Sequence, residues 1–203
     1  MKLFYTTFFL LITLTVSAQS FKDSIAAFRE KYKQEFLEDT RSPLKKEDLQ
    51  WLRFYAADKR YSVLAKLVLS TDTTTLSIPT HSGKIKRYKR YGYVYFHLKR
   101  HQKTIQLAVY QSCDLVKQAA YKNHLFLPFT DATNYQTTYA GGRYIDLSTT
   151  DIKDNSILID FNKAYNPYCA YAEGYNCPIP PDENKLKIAI KAGEKLFGRK
   201  GKE

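Results

Sequence analysis

Residues 91–110, YGYVYFHLKRHQKTIQLAVY, decide the fold class. Aromatic and apolar side chains alternate along 91–98, and a second alternating run follows at 104–110. A period of two is typical of a strand that buries one of its faces. Because only the short polar segment KRHQK at 99–103 separates the two runs, they predict an antiparallel β-hairpin.

Further strands are predicted on both sides of this hairpin. Short runs rich in β-branched and aromatic residues, bounded by turn residues, lie at 61–69, 74–80, 124–129, 142–147, 156–161 and 185–190. Residues 20–39 carry an apolar stripe at three- and four-residue steps, which predicts a helix. The predicted fold class is therefore α+β: an N-terminal helix followed by an antiparallel β-rich domain, forming a partly open barrel or a sandwich.

The first eighteen residues have the features of an export signal. Lys2 gives a positive start, an apolar run follows, and small residues end at Ala18. The apolar run is too short to span a bilayer comfortably, and no later segment is apolar enough to do so. We therefore predict a cleaved signal peptide at 1–18, a single soluble domain at 19–203, and a periplasmic or secreted location.

The chain is basic, with a formal net charge of +12. Much of this charge lies in the segment 84–103, KIKRYKRYGYVYFHLKRHQK, where Lys and Arg are interleaved with tyrosines. Such a segment can bind a polyanion, because the cations pair with phosphates while the rings stack on bases or sugars. The alternative is a solvated basic face on a hairpin that cross-strand tyrosines stabilise.

A candidate anion site lies at 127–147, LPFTDATNYQTTYAGGRYIDL. Asp131 and Thr133 follow a predicted strand, and Gly142 permits a backbone conformation that other residues rarely adopt. Arg143, together with nearby backbone amides, could hold an anionic group. An Arg–Asp network that holds a hairpin together explains the same residues, and both interpretations stay open.

The segment 158–184, LIDFNKAYNPYCAYAEGYNCPIPPDEN, has neither a helix period nor a strand alternation. In an oxidising compartment, the eight-residue spacing of Cys169 and Cys177 predicts a disulfide that staples this segment as a cap over one end of the sheet. Alternatively, Cys169 is a reactive thiol, which requires a histidine base from elsewhere in the chain. Cys113, beside a predicted strand, is expected to be a small buried hydrophobe.

Enzyme signatures are weak in this sequence. It contains no GxSxG, HExxH, CxxC or phosphate-loop pattern. A pair drawn from five acidic residues could act as acid and base in the hydrolysis of a glycoside: Asp131, Asp146, Asp160, Asp182 and Glu183. Two thiols without further ligands at a suitable spacing do not make a metal site, so we predict no metal and no cofactor.

Three segments resemble DUF1684, a family of unknown function. They are PFTDAT…TTYAGGRYIDL at 128–147, LIDFNKAYNPYCAY at 158–171 and CPIPPDENKLKIAIKAGEK at 177–195. The resemblance implies a shared pocket wall or a rigid polar lattice, with no established activity. The residues taken from these motifs as ligand-binding candidates are Asp131, Thr133, Tyr139, Gly142, Arg143, Asp146, Asp160, Asn162, Tyr165, Asn166, Cys169, Glu183 and Asn184.

Together these features predict an exported binding module with a polar pocket for an anionic or sugar-like ligand. The pocket is expected between the segments 131–146 and 160–184, with Arg143 contacting the anionic group. The alternative is an enzyme: a hydrolase that uses Asp131, Asp146 or Asp160, or a thiol enzyme that uses Cys169.

Overall fold

The structure, a computed structural model, describes residues 3–99, 101 and 103–198. These residues form one long helix, α1 (Leu3–Glu38), followed by β-strands with short 3₁₀ turns in the connections. The strands are β1 (Ser62–Leu69), β2 (Thr75–Pro79), β3 (Ile85–Phe96), β4 (Ile105–Ser112), β5 (His124–Phe129), β6 (Arg143–Ser148) and β7 (Ser156–Asp160).

The strands form one antiparallel sheet in the order β6-β5-β4-β3-β1-β7, with β2 beside β3. The sheet curls into a nearly closed barrel, which confirms the predicted α+β class. The predicted hairpin is β3–β4, in which Val94 pairs with Leu107. Along its other edge β3 pairs first with β2, at 85–89, and then with β1, at 92–95. A register shift between Arg90 and Gly92 separates the two halves of β3.

Side-chain alternation divides the apolar residues between the two faces of the sheet. One face forms the interior of the barrel, where Leu67, Val94, Leu107, Leu127 and Ile159 are at most 4% exposed. The opposite face carries a second apolar cluster, whose buried members are Ile78, Tyr88, Ala108, Tyr110, Phe126 and Tyr144. This outer cluster is large and aromatic, so the chain must cover it with a further layer.

The irregular C-terminal segment supplies part of this further layer through Tyr165, and helix α1 packs on Tyr165 in turn. Tyr32 and Phe36 of α1 are buried against Leu44 and Leu52 and pack beside tyrosines of the segment 165–171. The helix predicted at 20–39 is confirmed, and α1 extends it toward the N-terminus. Within the described ranges, no helix is both long and apolar enough to cross a membrane.

The strand predicted at 185–190 is wrong. In this segment Lys185 forms only an isolated bridge with Thr130, and the following residues adopt no regular structure. The Leu186 backbone N–H donates to the Thr130 carbonyl, and the Ile190 carbonyl accepts from the buried guanidinium of Arg143. Apolar residues alternate in this segment because one side of the extended chain faces the core. Its backbone groups form hydrogen bonds with a loop and with the Arg143 side chain, whereas those of a strand would pair with a neighbouring strand.

Candidate functional site

A cleft of about 500 Å³ lies between the outer face of the sheet and the segment 165–178. The sheet contributes side chains from β3, β5 and β6, and the irregular segment forms the opposite wall. We call it the tyrosine cleft; the rings that define it are Tyr88, Phe126, Tyr144, Tyr165, Tyr168 and Tyr175. Its volume is within the range of sites that bind small molecules, about 300–1,000 Å³.

The ring faces of this cleft are held in place by hydrogen bonds from their hydroxyl groups. Tyr168 donates to an Asp39 carboxylate oxygen over 3.1 Å, and Tyr175 donates to the Arg41 carbonyl over 2.8 Å. The hydroxyl of Tyr144 donates to the Pro178 carbonyl. Ring packing adds to this, since Phe126 lies edge-on to Tyr144 at a centroid distance of 4.8 Å. The walls therefore present fixed aromatic faces.

A His–Asp–Tyr network lies on the β5–β6 side of the cleft. His124 Nε2 is 2.9 Å from Asp146 Oδ1, and the Tyr165 hydroxyl donates to Asp146 Oδ2 over 2.9 Å. The Asp146 side chain is 51% exposed, whereas that of His124 is 19% exposed. The carboxylate is thus held by two groups while it still faces the cleft.

Two exposed cationic side chains line the cleft. Lys86 is exposed and forms no ion pair with any described residue, and Arg41 is paired with Asp39 at 3.3 Å. Both are close enough to the cleft to line it. An anionic group that entered between them would meet positive charge without the displacement of a buried ion pair.

The two cysteines of the irregular segment lie side by side at the cleft wall. The Cys169 backbone N–H donates to Cys177 Sγ over 3.2 Å, and the Cys169 thiol donates to the Tyr175 carbonyl over 3.2 Å. Burial, together with a hydrogen bond to Cys169, raises the pKa of the Cys177 thiol to about 12. Both sulfurs are unbonded thiols in this structure, as is the half-buried Cys113. A Cys169–Cys177 disulfide stays a prediction.

The predicted anion ligand Arg143 lies in the barrel interior, away from the cleft. Its side chain is fully buried, and its Nη2 is 2.6 Å from Oδ2 of the equally buried Asp131. The guanidinium also donates to the backbone carbonyls of Ile190, Ala192 and Glu194. Of the two interpretations left open by the sequence, this geometry fits the structural Arg–Asp network, and Arg143 does not line the tyrosine cleft.

Comparisons with known proteins agree with this architecture. The model of a family described as "Protein of unknown function (DUF1684)" matches residues 47–195. The chain belongs to the DUF1684 family. One similar solved structure is the solution NMR structure of an uncharacterized protein from gene locus rrnAC0354 of Haloarcula marismortui. The sequence of that protein is 29% identical to this chain, and the two structures superpose with a TM-score of 0.66. The match covers 88% of this chain and 96% of the Haloarcula chain. No curated protein matches the sequence significantly.

Most motif residues of this DUF1684 chain bind other parts of the protein. Asn184 bonds to the Ala108 and Pro128 backbones, and Asn162 bonds to the Asp58 backbone. Gly142 has φ +88°, and a Cβ at this position would lie only 2.7 Å from the Phe129 carbonyl oxygen. Both the backbone conformation and the close packing therefore favour glycine here. Other motif residues make comparable internal contacts: Asp131, Thr133, Tyr139, Asp160, Asn166 and Glu183. The rigid polar lattice is therefore the better description of these motifs.

Only part of the predicted set reaches the tyrosine cleft of this DUF1684 chain. Asp146 and Tyr165 line the cleft. Cys169 does not, but its backbone N–H donates to the sulfur of the lining residue Cys177. Sequence reasoning missed Tyr88 and His124. The alternation of side chains along β5 and β6 could have identified His124. Phe126 pairs with Asp146, and His124, two residues before Phe126, lies on the same face of the sheet.

The basic segment 84–103 is divided between two surfaces. Lys86 and Tyr88 face the tyrosine cleft, whereas Arg87 and Lys89 line a separate groove on the other side of β3. Arg90 is paired with Glu183 at 2.8 Å. Across the described residues, no group of three or more His, Cys, Asp or Glu side chains is placed to hold a metal ion.

Proposed function

We propose that this protein is a binding module whose tyrosine cleft takes an anionic, ring-bearing small molecule. The observation that carries the proposal is the combination of fixed aromatic walls with the exposed cations Lys86 and Arg41 in the lining of one cleft. A ring can pack against the tyrosine faces, while an attached carboxylate or phosphate pairs with the cations. We also propose that residues 1–18 direct export, which the order of charge, apolar run and small residues supports.

Charge reversal at Lys86 tests this proposal. We expect glucuronate, benzoate or adenosine monophosphate to bind the wild-type protein saturably in calorimetric or NMR titrations. Lys86→Glu should weaken the affinity at least about tenfold, because one attraction becomes a repulsion. Lys153→Glu, at an exposed lysine outside the cleft, is the matched control and should leave the affinity unchanged. Equal binding by both variants, or no saturable binding of any probe, would refute the proposal.

Hydrolysis is a second candidate function, and the position of Asp146 favours it. Asp131 and Asp160 are 6% and 7% exposed and accept internal hydrogen bonds, whereas Asp146 faces the cleft beside His124. The raised pKa of Cys177 disfavours a thiolate at that residue. A carboxylate held by a histidine and a tyrosine can accept a proton from water or a substrate hydroxyl.

Turnover of chromogenic esters and aryl glycosides would test this second candidate. If the cleft hydrolyses a substrate, Asp146→Asn should lower kcat about 100-fold or more, as is usual for loss of a general base. The melting temperature should stay close to that of the wild type, because the Asp146 side chain is half exposed. Activity that survives in Asp146→Asn would place the chemistry elsewhere.

A further inference from the structure

Tyr88 provides an unoccupied hydrogen-bonding group at the floor of the tyrosine cleft. The residue is only 4% exposed and lines the cleft, and Phe126 stacks on its ring at a centroid distance of 5.6 Å. Its hydroxyl has no hydrogen-bond partner among the described residues, in contrast to those of Tyr144, Tyr165, Tyr168 and Tyr175. The hydroxyl oxygen is not one of the buried atoms that lack a partner, so solvent reaches it and a bound molecule can use it as a hydrogen-bonding group.

Asp146 lines the same cleft and supplies an acceptor whose charge acts on this donor. Burial, together with the nearby Asp146 charge, raises the pKa of Tyr88 well above its ordinary value, so the phenol keeps its proton. Asp146 already accepts from Tyr165 and contacts His124, but each carboxylate oxygen has a further lone pair and the side chain faces the cleft. The cleft therefore presents a neutral O–H donor together with carboxyl oxygen acceptors.

These two groups complement a hydroxyl group of a ligand. A hydroxyl can accept a hydrogen bond from Tyr88 and donate one to Asp146, whereas an aromatic ring edge can do neither. The tyrosine walls offer mainly ring faces, because the four hydroxyls named above are already bonded within the protein. Lys86 and Arg41 add positive charge to this lining.

We infer that the ligand of the tyrosine cleft is an acidic sugar, of which a uronic acid is the simplest member. This inference rests on the proposed function and adds the ligand class. The sugar ring packs against the tyrosine faces, one of its hydroxyls bridges Tyr88 and Asp146, and its carboxylate lies toward Lys86. A neutral sugar lacks the last contact, and an aromatic acid lacks the bridging hydroxyl.

Titration with three probes tests the inference on the full chain. Glucuronate should bind at least about tenfold more tightly than glucose, which lacks the charge, and than benzoate, which lacks the hydroxyls. Tyr88→Phe should weaken glucuronate binding about tenfold, since it removes the bridging donor, and should leave benzoate binding unchanged. Tyr95→Phe, on the same strand but outside the cleft, is the control.

Each outcome separates this inference from the proposed function. Benzoate that binds as tightly as glucuronate, with no effect of Tyr88→Phe on either, would overturn the acidic-sugar inference and leave an anionic-ring site. Glucose that binds as tightly as glucuronate would overturn the requirement for charge. Absence of saturable binding for both glucuronate and benzoate would overturn the inference together with the use of this cleft for anionic rings.

Discussion

Replacing Arg143 by methionine is expected to lower the free energy of unfolding by at least about 4 kcal/mol. The substitution strands the buried carboxylate of Asp131 without its cation, and it leaves the Ile190, Ala192 and Glu194 carbonyls without their donor. For a domain of this size, such a loss corresponds to about 10 °C or more in Tm. Denaturant unfolding and thermal melts measure it directly.

Two further variants make this prediction specific. Arg87→Met removes a charge from a side chain that is 63% exposed, and it should change stability by less than about 1 kcal/mol. Adding Asp131→Asn to Arg143→Met should recover part of the loss, because it removes the stranded charge while it keeps the acceptor for Thr133. An Arg143→Met protein with wild-type stability would show that the buried pair does not hold the 186–194 segment in place.

Glu194→Gln is expected to change how stability depends on pH. Burial raises the pKa of Glu194 from 4.5 to about 7, and hydrogen bonds from Asn166, Tyr171 and Tyr32 oppose this shift only in part. The folded state therefore binds this proton more tightly than the unfolded state does. The stability that this group contributes is fully present below pH 4.5 and is lost as pH rises toward 7.

The expected size of this effect is about 3 kcal/mol in favour of the glutamine variant between pH 4.5 and pH 8. Glutamine reproduces the hydrogen bonds of the protonated acid, accepting from Asn166 and donating to Tyr171, without a charge to desolvate. Glu38→Gln, at an exposed position on α1, controls for the loss of one negative charge. A stability difference between wild type and Glu194→Gln that does not vary with pH would contradict the assignment.

The strands could be predicted because a period of two is local information. The hairpin at 91–110 and the strand at 124–129 are found where the alternation of apolar residues placed them. The same alternation at 185–190 predicted a strand that does not exist. Its backbone partners are a loop near Thr130 and the side chain of Arg143, and nothing local in the sequence specifies either of them.

The candidate site was harder to predict because it depends on the pairing register between strands. His124 and Asp146 meet only because Phe126 pairs with Asp146 and because both side chains point to the outer face. The motif residues drew attention to Arg143, whose partners lie in the barrel interior. Tyr88 lies in the basic segment 84–103, whose charge suggested that it binds a polyanion. The sequence does not show that Tyr88 faces the irregular segment 165–178 across the cleft.

The most direct test of the central claim is a backbone NMR titration of the wild-type protein with glucuronate. If the tyrosine cleft is the binding site, saturable shifts should cluster at Lys86–Tyr88, His124–Phe126 and Tyr144–Asp146, and in Lys86→Glu they should require at least about tenfold more glucuronate to saturate. Saturable shifts that cluster instead around Lys59, Arg60 and Lys191, which line a separate basic cleft, would contradict the account. A response without saturation at any position would contradict it as well.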